Sequence, residues 1–200
     1  MYFFTHLIIS KVLYQHFSTE LELDKQAFAY GNIKPDLPSS HRNHHTLENC
    51  LFTVCDYSNI LINDKKSTKN QSILLGEICH YVCDFFCYYH INEEIHNKKL
   101  HHFLYELNLH HKLLQIRFMR KLKIFPSEME PIKGMHSIIL EMRKAYFSQS
   151  PCRKRDIDFA FLTSVWVCES ILYFMKYSSD PAKEVELARY SLLTTDGSSL

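Results

Sequence analysis

The chain is short of residues that break helices, with 4 glycines and 6 prolines in 200 positions. That scarcity excludes an all-β architecture of many hairpins, which needs turn-forming clusters roughly every 8–12 residues. An excess of one charge is also missing. Lys and Arg number 23 against 22 Asp and Glu, a formal net charge of +1, so no broad field recruits nucleic acid or an anionic surface. The seven cysteines (Cys50, Cys55, Cys79, Cys83, Cys87, Cys152, Cys168) contain no CxxC pair, which removes a zinc ribbon or a dithiol redox motif. Odd in number and mostly at helical spacing in apolar stretches, they read as reduced core residues. No long apolar run is free of charge: Ile157 to Met175 is interrupted by Asp158 and Glu169 and reads as a buried amphipathic helix, not a membrane span. The opening MYFFTHLIISKVLYQHF lacks a basic leader and a small-residue cleavage site, so the expectation is no signal peptide and a cytoplasmic protein.

What the chain has in excess is histidine, 13 of them, together with 14 Phe. Its hydrophobic period is helical almost throughout. Phe3, Phe4, Leu7, Ile8 and Val12 build a first helix to about Phe17, and a short helix near Asp24 to Tyr30 ends at Gly31. Asn32, Pro35, Pro38, Ser39 and Ser40 then form a loop that holds Asp36 outside regular structure. Further helices are expected over 47–61, 72–90 and 97–123, another opened by Pro131, and one carrying Trp166. The run Arg153, Lys154, Arg155 reads as an exposed loop. Residues 1–200 are expected to form a single all-α domain, a multi-helix bundle with 180–200 a fraying tail.

The chemistry concentrates between residues 80 and 106, where His80 and Asp84 stand four apart, His90 follows, and His102 and Glu106 are again four apart. On a helix, positions i and i+4 share a face, so each pair presents an imidazole beside a carboxylate. Zinc takes these donors in a compact shell. The helix carrying His80 is apolar nearly all round, and burying a carboxylate among imidazoles costs several kcal/mol unless a cation or hydrogen bonds repay it. A satisfied core hydrogen bond between His80 and Asp84 is the simpler reading of that pair alone; the second pair favours metal.

The segments HLIISKVL, GNIKPDL, HTLEN, HYVCDFFCYYH and HFLYE resemble the zinc-dependent phospholipase C family over roughly residues 1 to 110. The resemblance implies an all-α fold of the phospholipase C and P1 nuclease type, holding two or three Zn2+ ions in a cleft. It assigns Asp36, His45, His80 and Asp84 to one zinc, and His90, His102 and Glu106 to a second. A third site would take the Met1 amine, His6 and the bridging Asp84; secreted members have a processed Trp where this chain has Met1. His45 is chosen over His41 and His44 because it precedes TLEN. Adjacent zinc ions lower the pKa of water toward neutrality and neutralise charge on phosphoryl oxygens, so phosphoesters are the natural substrates. Asp36 is the expected catalytic residue, orienting or deprotonating the attacking water, and a phospholipid the expected substrate.

Alternatives are a zinc-dependent nuclease or nucleotidase of the same fold, whose ligand set usually ends in Asp where this chain has Glu106, and a non-catalytic metal-binding helical protein. No specific nucleic-acid partner is expected, since no basic, aromatic-interleaved groove is evident. A di-iron bundle built on Glu77 with His80 and Glu93 with His96 is disfavoured, because the two Glu-x-x-His motifs lie too close in sequence for facing helices. His110 continues the face of His102 and Glu106, as a solvated residue or as a partner to the ligands.

Overall fold

Polar side chains at the ends of apolar runs set where several helices begin. The computed structural model describes residues 1–38, 44–64, 66–91, 94, 98–118 and 134–177. Its main helices are α1 (Phe3–Phe17), α2 (Lys25–Gly31), α3 (Leu47–Asn63), α4 (Thr68–Phe85), α5 (Lys99–Phe118), α6 (Met135–Ser148) and α7 (Arg153–Tyr177), with 3₁₀ turns at Lys34–Asp36 and Tyr88–His90. No strand occurs among the described residues, so the all-α expectation holds. Asp24 Oδ1 accepts the Ala27 N–H at 2.8 Å to open α2, and Thr46 and Ser67 accept from Asn49 and Asn70 to open α3 and α4.

Helix α4 is the axis of the molecule, packing on α2, α3 and α7 and touching α1. Leu75, Ile78, Cys79, Val82, Cys83, Phe85 and Phe86 are fully or almost fully buried around it. Each large apolar side chain removed from water in this way contributes about 1.5–3 kcal/mol. Two of the few glycines explain the closest approach. A Cβ on Gly31 would lie 2.2 Å from the Ile73 carbonyl oxygen, and one on Gly76 would lie 2.4 Å from that of Phe28, so α2 and α4 meet backbone to backbone. Cys79 Sγ is 3.4 Å from Cys168 Sγ and Cys83 Sγ 3.4 Å from Ser164 Oγ, so α7 packs on α4 through small side chains.

Several boundaries differ from those expected. The buried helix ends at Phe85 and not at His90, because Phe86 leaves helical geometry and the Arg143 guanidinium from α6 donates to the Phe85 carbonyl and, at 3.3 Å, to that of Ile91. Asp36 belongs to a 3₁₀ turn instead of an irregular loop, pinned by Lys34 Nζ to Glu77 at 2.6 Å. Arg153, Lys154 and Arg155 form the first turn of α7, not a loop. Arg155 is buried: its guanidinium lies 3.8 Å from the Tyr146 ring centroid and donates to the Gln149 carbonyl at 2.7 Å. Cys152 is exposed, contrary to the reading of the cysteines as core residues. Helix α7 is long and apolar enough to cross a membrane by length and composition, yet 61% of its apolar window is buried within the fold, as in a core helix. Pro131, residues 119–123 of the long helix expected to run to 123, and the tail 180–200 lie outside the described residues.

Candidate metal centre

Six separate chain segments deliver polar side chains to one point beside α4. His80 and Asp84 come from α4 itself, one turn apart and both fully buried. His80 Nδ1 lies 2.8 Å from the Asn32 carbonyl just after α2, which fixes the ring and, for a neutral imidazole, puts the proton on Nδ1 and the lone pair on Nε2. That Nε2 lies 3.0 Å from His45 Nδ1, 3.3 Å from Asp84 Oδ2 and 3.7 Å from Asp36 Oδ1. His45 is held at the mouth of α3, where the next residue, Thr46, is the helix cap and donates its own N–H to the His44 carbonyl at 2.8 Å. Its Nδ1 stands 3.1 Å from Asp84 Oδ2 and 3.8 Å from Asp36 Oδ1. Asp36, Asp84, His45 and His80 therefore converge, with Asp36 at 26% side-chain exposure forming the open side.

A second group sits beyond Asp84. His90 Nε2, from the 3₁₀ turn, is 2.9 Å from Glu106 Oε1 and 3.1 Å from His102 Nε2, and His102 Nε2 is 2.8 Å from the same Glu106 oxygen. His102 and Glu106 are a turn apart on α5, and the Tyr89 ring stacks on His102 at 5.4 Å between centroids with the planes 9° apart. Cys87 joins His90 and Glu106 as a further donor in reach of one ion, a thiol the sequence reading placed in the core.

Asp84 links these groups to a third. Its Oδ1 contacts the Met1 amine and lies 3.3 Å from His6 Nε2, while the amine is 3.1 Å from His90 Nε2 and 3.2 Å from Glu106 Oε1. His6 stacks on His80 at 4.0 Å and is fully buried, and neither of its ring nitrogens makes a hydrogen bond. Every predicted site residue is thus brought to the same place. His41 lies outside the described residues, so of its neighbours it is His45 whose ring the structure shows in the centre. Glu77 turns away to Lys34, and Glu93 and His96 lie outside the described residues, so nothing described supports a di-iron arrangement. His110 goes elsewhere: its Nδ1 is 3.0 Å from Thr5 Oγ1 and its ring packs against Tyr2.

The electrostatics follow from burial and crowding. Burial pushes the His6 imidazole down to about 4, with His80 adding to the shift, so this ring is neutral near pH 7 and has one ring nitrogen able to act as a donor to metal. Burial also lowers His90, although Asp84 opposes it. For His80 burial opposes the charge, but Asp84 and Asp36 outweigh it and raise the pKa. Burial would raise Asp84 and Glu106, yet His90, the Met1 amine and neighbouring imidazoles hold both well below the usual carboxylate range. The residues fit a divalent metal. Imidazole nitrogens 3.0–3.1 Å apart, flanked by ionised carboxylates, crowd several metal-type donor atoms around one point. The donors of one tetrahedral zinc stand about 3.3 Å apart, close to these separations, and nitrogen with carboxylate oxygen is a zinc donor set.

No curated protein and no solved structure shows a significant match to the chain. A family model described as zinc dependent phospholipase C matches residues 5–153, well over half of the chain and all of the described site except the Met1 amine. The all-α architecture around the clustered histidines and carboxylates is the one this family has, and the chain belongs to the zinc-dependent phospholipase C family.

Proposed function

We propose that the chain is a zinc-dependent phosphodiester hydrolase that acts on a phospholipid, freeing a phosphorylated head group from diacylglycerol. The observation that carries this reading is the arrangement around Asp84, whose two oxygens face different groups: Oδ2 toward His45 and His80, Oδ1 toward His6 and the Met1 amine. A carboxylate shared in this way suits adjacent cations. On this reading Asp36, His45, His80 and Asp84 hold one zinc, His90, His102 and Glu106 a second, and His6 with Asp84 and the Met1 amine a third. Bound zinc supplies a lowered pKa for water and neutralisation of charge on phosphoryl oxygens.

The chain's own residues do the rest. The Asn32 carbonyl fixes the His80 ring through Nδ1, which keeps Nε2 aimed inward beside Asp84. Asp36, the most exposed carboxylate of its group, is placed to accept the proton of an attacking water or to orient it. Tyr89 over His102 holds that ring in place and shields one of its faces from water.

The test loads purified protein with zinc and measures zinc per chain. It then follows head-group release from short-chain phosphatidylcholine beside hydrolysis of single-stranded DNA and a 3′-nucleotide. More than one zinc per chain and lipid turnover abolished by Asp36→Asn are expected. Turnover of the nucleic-acid substrates alone would move the chain to the nuclease reading. Zinc without turnover of any substrate, with Asp36→Asn changing only metal content, would leave a non-catalytic metal protein. Protein that stays metal-free under zinc supplementation would overturn the proposal.

A further inference from the structure

Beyond the family match at residues 5–153 lies a fully buried carboxylate, Asp156, in the first turn of α7. Nothing about the metal groups requires it as a ligand, yet it is fastened to both segments that deliver the second group. Asp156 Oδ2 accepts the Tyr88 backbone N–H at 2.8 Å and the Tyr105 hydroxyl at 2.7 Å. Tyr88 opens the 3₁₀ turn that ends in His90, and Tyr105 immediately precedes Glu106 on α5, three residues after His102. The other oxygen, Oδ1, accepts from the Tyr146 hydroxyl at 2.9 Å and from Arg155 Nη2 at 3.4 Å, which ties the carboxylate to α6 and its own helix. A carboxylate accepts about four hydrogen bonds, and all four here come from donors.

The His90 turn closes on its own backbone, with the Cys87 N–H donating to the Asp84 carbonyl at 3.0 Å and the His90 N–H to the Cys87 carbonyl at 2.8 Å, and side chains from α6 and α7 tie it to the rest of the fold. It follows the end of α4, where the Arg143 guanidinium holds the Phe85 and Ile91 carbonyls on either side, and the Tyr88 N–H is the backbone group in between that a buried side chain anchors. Helix α5 reaches the same anchor through one hydroxyl. One buried carboxylate oxygen thus joins the turn to the helix from behind, opposite the contacts that His90 makes with Glu106 and Tyr89 with His102.

We propose that Asp156 is the positioning residue of the His90, His102 and Glu106 group, setting its geometry by bridging the Tyr88 amide and the Tyr105 hydroxyl. The inference rests on the reading of that group as a metal site. Deleting the anchor leaves the donor atoms present but loosens the turn relative to α5, so the loss appears at this group first. Partners that orient metal ligands typically change affinity by about 10–100-fold when removed.

The experiment uses cobalt in place of zinc, because its visible bands report donor geometry. Bands and a binding step that disappear in Glu106→Gln belong to the second group; those that survive belong to the His45 and His80 group. Tyr105→Phe and Asp156→Asn are expected to keep their helical circular dichroism. They should shift the second-group bands and weaken that step about 10-fold, with the surviving bands unchanged. Val54→Ala, a core change in α3, serves as a control that lowers stability without moving either set of bands. If Asp156→Asn does not fold, Tyr105→Phe alone carries both outcomes, since it removes one hydroxyl and keeps the ring. Parent-like second-group bands and affinity in the folded variants would overturn the inference while leaving the metal reading intact. A parent that takes up no cobalt would overturn the metal reading itself, and the inference with it.

Discussion

Asp84 carries more of the centre than any other side chain, because both its oxygens are used and neither faces water. Asp84→Asn keeps the shape but removes the charge, leaving His6, His45, His80, His90 and the Met1 amine crowded around a neutral amide. Breaking a buried charge cluster from one side costs about 3–5 kcal/mol. Metal content is therefore expected to fall in the His45 and His80 group and in the His6 group for Asp84→Asn but only in the His90, His102 and Glu106 group for Glu106→Gln, checked by elemental analysis of the two variants side by side. Single residues also set the alkaline limit. Burial pushes the Cys50 thiol up to about 12 and raises Cys83, Cys87, Tyr81, Tyr105 and Tyr146 as well, while the hydrogen bond with Cys168, together with burial, raises Cys79. A raised folded-state pKa contributes stability that is fully present below the unfolded value and is lost as pH climbs toward the folded value. With the unfolded thiols titrating near pH 9, melting temperatures under reducing conditions should hold between about pH 7 and 8.5 and fall steadily above pH 9. A flat profile to pH 11 would contradict the burial of these groups. Maleimide at pH 7.5 should label the exposed Cys152 first, with Cys79, Cys83 and Cys168 reacting only after unfolding.

At the scale of elements, the pairs His80 with Asp84 and His102 with Glu106 were legible because both partners of each pair ride one helix, where a four-residue spacing is a spatial statement. His90 was legible as a residue but not in its element. The expected helix ran through it, and what stops α4 at Phe85 is a guanidinium 58 residues further on. The misreading of Arg155 has the same origin: a basic triplet looks solvated until Tyr146 is placed beneath it. Asp156 gave no signal at all, since its three tyrosine partners come from three different segments. Helix contact carries its own prediction. Gly76→Ala would place a methyl group 2.4 Å from the Phe28 carbonyl oxygen, so α2 must move away from α4. Overpacking of this kind costs about 1–3 kcal/mol, and here it also displaces the Asn32 carbonyl that holds His80. A lower melting temperature together with weaker metal binding at the His45 and His80 group is expected. A stability loss with unchanged metal affinity would separate the α2 contact from the site.

For the whole molecule, the centre is where distant parts of the chain are joined. Its side chains come from α1, the Lys34–Asp36 turn, the mouth of α3, α4, the Tyr88–His90 turn and α5, while α6 and α7 hold those pieces from behind through Arg143 and Asp156. These segments meet as a cluster of mostly buried imidazoles and carboxylates. Hydrophobic packing around α4 surrounds them. Metal binding to the folded state alone therefore adds to global stability by mass action, about 2.7 kcal/mol when free metal stands at 100 times its dissociation constant. In a chain of this length an increment of 1 kcal/mol raises the melting temperature by roughly 2–4 °C, so zinc at that ratio should raise it by about 5–11 °C. Because imidazole must be deprotonated to bind, the increment should shrink as pH falls below about 6.5 and protons compete for the histidines. Thermal melts with zinc and with a chelator, repeated from pH 8 to pH 5, measure both effects. Equal melting temperatures with and without zinc at pH 7.5 would show that the clustered side chains do not act together on one set of ions.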